Sequence, residues 1–324
     1  MSRVVVTGRI PDAAIEKLRA EHDVDAWDST ESIGREELLK RVAGADALVT
    51  LLTEKVDAEL LDAAGPQLQV TANVAVGYDN VDVPVCAERG VVATNTPGVL
   101  TDATADIAFS LILMATRRLG EGERRIRSGE PWKFGMFFML GSGLQGKTLG
   151  VVGMGGIGIA TARRAKAFGM EIVYQSRSEI DPEVAAELGA RRVELDELLA
   201  ASDVVSVHCP FNPETRHLFG EAEFAAMKDT AYLVNTARGP IVDEAALAAA
   251  LREGQIAGTG LDVYEREPQV EPGLLDLDNV VLIPHLGSAT VETRTAMAVL
   301  AADNALAVLR GEDPPTPIRT TPTE

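Results

Sequence analysis

The feature that most constrains this chain is Gly153-Met154-Gly155-Gly156-Ile157-Gly158, which spells G-x-G-x-x-G. It directly follows the apolar run Leu149-Gly150-Val151-Val152 and opens a stretch carrying Ala160, Ala165 and Phe168 at helical spacing. Alone the pattern is weak. Between a strand and a helix it predicts a dinucleotide site. Gly153 permits the tight turn, Gly155 lets backbone approach a pyrophosphate, and Gly158 allows the helix to pack close to the strand. The helix start, at Gly156, Ile157 and Gly158, offers unpaired N–H groups and the positive end of the helix dipole to phosphate. A glycine-rich turn without a ligand is the competing reading, and the context disfavours it.

The motif sits in a βα alternation. Strands are predicted at Thr148–Val152, Glu171–Gln175, Val204–His208, Ala231–Asn235, Gly258–Asp262 and Val280–Pro284. Helical patterns at Ile157–Phe168, Leu195–Ala200, Glu221–Ala226 and Glu244–Glu253 lie between most of them. An earlier series has strands at Val4–Thr7, Ala47–Leu51, Val70–Asn73 and Val91–Thr94, with helices at Pro11–Glu21 and Ala58–Ala63. Two such series in 324 residues predict an α/β protein with two doubly wound parallel sheets. A long helix is expected from near Thr101, and another over Ala289–Arg310. Residues 129–146 form a Gly-rich stretch with Trp132, Phe134, Phe137 and Phe138, read either as a contact surface or as packing on its own chain. The Pro- and Thr-rich tail Gly311–Glu324 is expected to be mobile.

The formal net charge of −19 argues against nucleic acid and against an anionic membrane as partners, since both need a basic face. The N-terminus lacks the apolar run of a signal peptide, and Ile107–Ala115 is too short to span a bilayer. Cys86 and Cys209 have no metal-ligand spacing, so no metal is expected, and two isolated thiols suit a reducing cytoplasm.

Four strand ends carry candidate chemistry. After the second strand of the glycine-motif series, where NAD-binding proteins place a ribose-reading carboxylate, this chain has Ser176-Arg177-Ser178 and no acid before Glu179. An arginine pairs with a 2′-phosphate, which predicts NADP(H) over NAD(H). Arg177 stacked on adenine or facing solvent is the alternative. Arg238 follows another strand in Asn235-Thr236-Ala237-Arg238-Gly239-Pro240. A guanidinium there suits a carboxylate-bearing ligand, or else a structural ion pair. His285, in Pro284-His285-Leu286-Gly287, is one of four histidines and the one placed just past a strand. Reduction of a ketone needs an acid that works near neutral pH, and histidine supplies it. Its carboxylate partner is Glu267 or Glu265, both in Asp262-Val263-Tyr264-Glu265-Arg266-Glu267-Pro268, and the residues alone leave that choice open.

Taken in order, these motifs resemble the D-isomer-specific 2-hydroxyacid dehydrogenase family, and within it the glyoxylate and hydroxypyruvate reductases. The likeness runs from Asn73 to Thr290. It implies reduction of a small 2-oxo acid with a nicotinamide cofactor, NADP(H) favoured and NAD(H) as the alternative. Arg238 would bind substrate, Glu267 rather than Glu265 would pair with the histidine, and His285 would donate the proton. The resemblance further implies substrate-carboxylate contacts from the Val76 and Gly77 N–H groups. It implies cofactor contacts from Thr104, His208, Cys209, Pro210, Thr215, Thr236, Ala237, Arg238, Asp262, His285 and Gly287, with Asp262 accepting from the nicotinamide amide. It implies a discontinuous substrate domain (1–98 and 289–324), a cofactor domain (99–288), a cleft between them with hinges near Pro97-Gly98 and Ser288-Ala289, and a homodimer. The alternatives are another 2-hydroxy acid of the same family, of phosphoglycerate or lactate type, and a dinucleotide-sensing co-repressor-like binding protein.

Overall fold

The computed structural model describes residues 1–319. Contacts divide the chain into two compact units, Met1–Leu100 with the segment from Ala289 onward, and Thr101–Ser288.

The first unit begins β1 (Arg3–Val6), α1 (Asp12–Arg19), β2 (Asp23–Ala26), α2 (Arg35–Arg41), β3 (Ala47–Thr50), α3 (Ala58–Ala64), β4 (Val70–Asn73), α4 (Val83–Glu88) and β5 (Val92–Thr94). The five strands form one parallel sheet in the order β2-β1-β3-β4-β5. Helices cover both faces, so β3 and β4 are buried throughout and read as unbroken runs rather than alternating ones. The strand period still sorts the side chains. Val4, Val6, Val49 and Ala72 pack with Ile15 and Leu18, while Val5 and Leu48 face Leu38, Leu60 and Cys86 on the other side. Two helix starts are capped by side chains: Asp57 accepts from the Leu60 N–H and Asp82 from the Val85 N–H, each at 3.1 Å.

The second unit holds α5 (Thr101–Thr116), α6 (Leu119–Arg127), β6 (Thr148–Val152), α7 (Gly156–Ala167), β7 (Glu171–Gln175), α8 (Pro182–Leu188), β8 (Arg191–Arg192), α9 (Leu195–Ala201), β9 (Val204–Val207), α10 (Glu221–Ala226), β10 (Tyr232–Asn235), α11 (Glu244–Glu253), β11 (Gly258–Leu261), α12 (Pro272–Leu275) and β12 (Val280–Leu282). Its seven strands are all parallel, in the order β12-β11-β10-β9-β6-β7-β8. The order reverses between β6 and β9, and open α/β sheets form their ligand crevice beyond the carboxyl ends at such a point. The chain then returns to the first unit as α13 (Val291–Leu309), whose Ala298, Ala301, Ala302 and Ala305 pack beside Val49 and Ala72.

Six strands are expected in this sheet and seven are present. β8 is only Arg191–Arg192, both exposed, and exists through its pairing with Val173 and Tyr174. β2 escapes sequence reading for the same reason. Asp23–Ala26 alternates over only four residues, two of them aspartates that strands disfavour, and it is fixed by pairing with β1 and by Asp25 ion pairs to Arg3 and Arg41. The stretch 129–146 divides between its two readings: Trp132 stacks on Phe138 and Arg125 lies over the Phe138 ring, while Phe134, Met136 and Phe137 are at least 80% exposed.

The expectation of a mobile tail is corrected for residues 311–319; residues 320–324 lie outside the described residues. Asn304, fully buried on α13, donates to the Thr316 hydroxyl (2.7 Å) and accepts from the Thr316 N–H (2.9 Å). Pro317 bridges Thr94 at the edge of β5, and the Ile318 N–H donates to the Ala93 carbonyl at 2.8 Å. A buried amide must find partners, and the tail supplies them. Replacing Asn304 with Leu leaves these groups unpaired and should destabilise the first unit by about 1–3 kcal/mol. Urea unfolding of the full chain should show its midpoint lowered.

Candidate active site

The glycine turn is shaped by close approach. Gly153 has φ +95°, and a Cβ there would lie 2.3 Å from the Cys209 nitrogen. Its N–H donates to the Gln175 carbonyl (2.8 Å), and the His208 N–H donates to the Val152 carbonyl (2.7 Å). The ends of β6, β7 and β9 are therefore fastened to one another. Gly155, the residue before α7, brings no capping side chain, and nothing lies within 4 Å of where its Cβ would be. Gly156, Ile157 and Gly158 form the first turn of α7, so their N–H groups lack the side-chain oxygen that usually satisfies a helix start. Open backbone and uncapped donors suit a pyrophosphate. Among the described residues the buried Thr236 hydroxyl has no hydrogen-bond partner, a second group that suits a ligand.

The other expected cofactor contacts lie on α5 and on the segments just past β7, β9, β10, β11 and β12. Arg177 and Ser178 are exposed just past β7, and Ser176 is partly so. His208 bonds the Ser206 hydroxyl through Nε2 at 2.8 Å, and burial among protein atoms pushes its pKa down to about 4, leaving the ring neutral. Burial pushes the Cys209 thiol up to about 11. The Pro210 carbonyl accepts from the Thr215 hydroxyl (2.9 Å), which closes the loop after β9. Ala237 donates its N–H to the Asn235 side chain (2.9 Å). Thr104, on α5, donates to the Gly287 carbonyl (3.2 Å). Asp262 is 1% exposed, and its two oxygens accept from the N–H groups of Leu286 (2.5 Å) and Gly287 (2.8 Å).

Arg238, Glu267 and His285 all stand past carboxyl ends of the larger sheet, after β10, β11 and β12. His285 Nδ1 is 2.9 Å from Glu267 Oε2, and the two side chains are 35% and 37% exposed. Glu265 points elsewhere, to His217 Nε2 at 2.7 Å. The pair the residues left open is thus Glu267–His285 in space. Burial acts to raise the Glu267 pKa. The His285 hydrogen bond and charge, the Tyr264 N–H and the Arg238 charge outweigh it and hold the carboxyl below its ordinary range. An ionised carboxylate only accepts, so Nδ1 carries the proton and Nε2 is left to exchange one with a ligand. The His285 backbone adopts φ +51°, a left-handed conformation that costs energy in a non-glycine residue. It is held there by its N–H bond to the Asp262 carbonyl (2.9 Å) and by the loop bonds to the Asp262 side chain.

In the first unit, Val76 and Gly77 follow β4. Asn95 donates to the Val76 carbonyl (2.8 Å) and Asn73 to the Gly77 carbonyl (3.1 Å). Among the described residues, no backbone carbonyl accepts from the N–H of Val76 or Gly77. With both carbonyls tied down, two N–H groups remain for an anion.

Several supporting residues are given no role by the sequence reading. Asn73 and Asn95 brace the 76–77 turn. Asn235 donates to the Arg238 carbonyl (2.9 Å) and so shapes the Arg238 turn. Tyr264 donates its buried hydroxyl to the Ile283 carbonyl (2.9 Å), tying the Glu267 loop to the strand end before His285. Gly239 is the tightest point: a Cβ would sit 1.8 Å from the Tyr264 carbonyl carbon and 2.3 Å from the Glu265 nitrogen. Among the described residues no cluster of His, Cys, Asp and Glu could hold a metal ion, and no helix is long and apolar enough to cross a membrane.

Comparison with known proteins bears on this arrangement. The family described as D-isomer specific 2-hydroxyacid dehydrogenase, NAD binding domain, matches residues 109–287. A glyoxylate reductase from Thermococcus onnurineus is 51% identical over 318 residues, covering 97% of this chain and 95% of that protein. The crystal structure of the TT0316 protein from Thermus thermophilus superposes with a TM-score of 0.92 at 44% identity, covering 98% of this chain and all of that one. An NADPH-dependent glyoxylate/hydroxypyruvate reductase from Sinorhizobium meliloti, solved with NADP and malonate, gives 0.82 at 34% identity and covers 98% of this chain and 96% of that one.

The Gly239 contact yields a prediction. In Gly239→Ala the new methyl group must push the backbone at 264–265 away, displacing Glu267 relative to Arg238. A shift near 1 Å at such a site costs on the order of 10²-fold in kcat/KM. Calorimetric titration should show dinucleotide binding largely retained, because the glycine turn after β6 is untouched.

Proposed function

This chain belongs to the D-isomer-specific 2-hydroxyacid dehydrogenase family, and we propose that within it the protein reduces glyoxylate and hydroxypyruvate, with NADPH as the preferred cofactor. It is an oxidoreductase that uses a nicotinamide dinucleotide and acts on a small 2-oxo or 2-hydroxy acid. The observation that carries the catalytic reading is the 2.9 Å Glu267–His285 pair beside the charge of Arg238.

The uncapped start of α7 holds the pyrophosphate. Arg238 binds the substrate carboxylate and polarises its keto group, because a guanidinium stays charged at any working pH. The Val76 and Gly77 N–H groups are the carboxylate donors we assign in the first unit. A reduced nicotinamide, when bound, would supply the hydride that the carbonyl carbon accepts. Protonated His285 gives the proton on Nε2 to the oxygen, which completes the alcohol and leaves a neutral ring. The ionised Glu267 accepts from Nδ1 and keeps the imidazole oriented for the transfer.

The NADPH preference rests on the turn after β7, where Arg177 is exposed and no carboxylate comes before Glu179. It is further supported by the Sinorhizobium meliloti relative, solved with NADP. The exposed Trp132, Phe134, Met136, Phe137 and Leu140 support assembly through this apolar segment, and we propose a homodimer. The buried free thiols Cys86 and Cys209 suit a reducing compartment, and we place the protein in the cytoplasm.

Absorbance assays with glyoxylate, hydroxypyruvate, pyruvate and 2-oxoisocaproate, each with NADPH and NADH, test substrate and cofactor together. Turnover should be highest with the first two acids, and KM lower for NADPH. His285→Ala should lower kcat by roughly 10²–10⁴-fold with NADPH binding retained; near-normal turnover would overturn its role. Light scattering should give twice the chain mass for the native protein, and Phe137→Glu should shift it toward the monomer.

A further inference from the structure

The proposed preference for NADPH rests on Arg177, but Arg177 is an exposed side chain on an exposed turn. Flexible surface cations hold a phosphate weakly unless something fixes the backbone that carries them. The group that fixes this turn comes from the neighbouring edge strand. Arg192, the second residue of β8, donates from Nε and Nη2 to the Ser176 carbonyl (3.1 and 2.8 Å) and from Nη2 to the Arg177 carbonyl (3.1 Å). One guanidinium thus takes up two successive carbonyls of the turn.

A guanidinium has five N–H bonds. Nε supplies one and Nη2 two, and all three are accounted for by the turn. Among the described residues, the two on Nη1 face only Glu179, at 3.9 Å, beyond hydrogen-bond range and with the Glu179 side chain 81% exposed. An ion pair that open and that long is weak, so an incoming phosphate can displace it. Glu179 is also the first carboxylate after β7, the group that would otherwise reach for a free ribose hydroxyl, and it stands beside a cation.

The turn lies next to the dinucleotide site, since the Gln175 carbonyl, one residue earlier, accepts from the Gly153 N–H at 2.8 Å. We propose that Arg192 is a specificity-determining residue for the cofactor: it anchors the Ser176–Ser178 turn and presents Nη1 as a second cationic donor to a phosphate on the adenosine ribose. The inference rests on the reading of the protein as NADPH-preferring. It assigns to β8, an element with no sequence signal, the task of making that preference selective.

Calorimetric titration with 2′,5′-ADP and with 5′-AMP tests this without turnover. Wild type should bind 2′,5′-ADP more tightly. Arg192→Met should weaken 2′,5′-ADP by at least roughly tenfold, as expected for losing charge-assisted hydrogen bonds, and leave 5′-AMP within about twofold. Unchanged 5′-AMP binding and an unchanged melting temperature show that the variant is folded. Arg192→Lys keeps the charge but cannot grip two carbonyls, and should recover only part of the loss. If Arg192→Met binds 2′,5′-ADP like wild type while Arg177→Met does not, the role of Arg192 is overturned and the NADPH reading stands. If wild type itself binds both nucleotides equally, the NADPH reading fails and takes this inference with it.

Discussion

The chemistry of the larger unit depends on one buried carboxylate. Asp262, at the carboxyl end of β11, accepts from the N–H groups of Leu286 and Gly287, and its own backbone carbonyl accepts from the His285 N–H. Burial raises its pKa, against the Leu286 and Gly287 bonds and the His285 charge, which favour the ionised form. These contacts hold the loop after β12 in a shape that includes a left-handed residue at His285. Removing them would release the strain and swing the imidazole away from Glu267.

A second constraint joins the loop that carries Arg238 to this one. The Arg238 turn presses on the backbone at Tyr264–Glu265, where only glycine fits at 239. The Tyr264 hydroxyl spans from that loop to Ile283, and Asn235 closes the Arg238 turn from below. Three loops from β10, β11 and β12 are therefore positioned by contacts among themselves, each anchored to a rigid parallel strand. A site built this way holds its geometry better than one on free loops.

Much of this was legible in the residues. The glycine motif, the strand spacing and the arginine and histidine past strand ends pointed to an α/β dinucleotide enzyme, because each rests on a local pattern with a physical cause. Other parts were not. β8 carries no apolar pattern and exists through its neighbour, and the alternation of β2 spans only four residues with two aspartates, too short and too polar to announce a strand. The tail reads as mobile because Pro and Thr are common in flexible ends, yet Asn304, buried on α13, requires the partners that Thr316 supplies. Asn73, Asn95, Asn235 and Tyr264 look like ordinary polar residues until their carbonyl partners are known.

The sequence by itself determined the class of fold, the position of the glycine turn and the placing of Arg238 and His285 just past strand ends. Those follow from short-range rules: strand and helix periodicity, glycine where backbone must turn or approach closely, and residue types suited to the chemistry. Tertiary structure decided which glutamate faces His285. Glu265 and Glu267 are two residues apart on an irregular loop, where no period assigns a direction, and only the folded chain sends one to His217 and the other to His285. It likewise decided that Arg192, fifteen residues beyond Arg177, would grip the turn that Arg177 occupies, because parallel pairing of β7 and β8 brings them together.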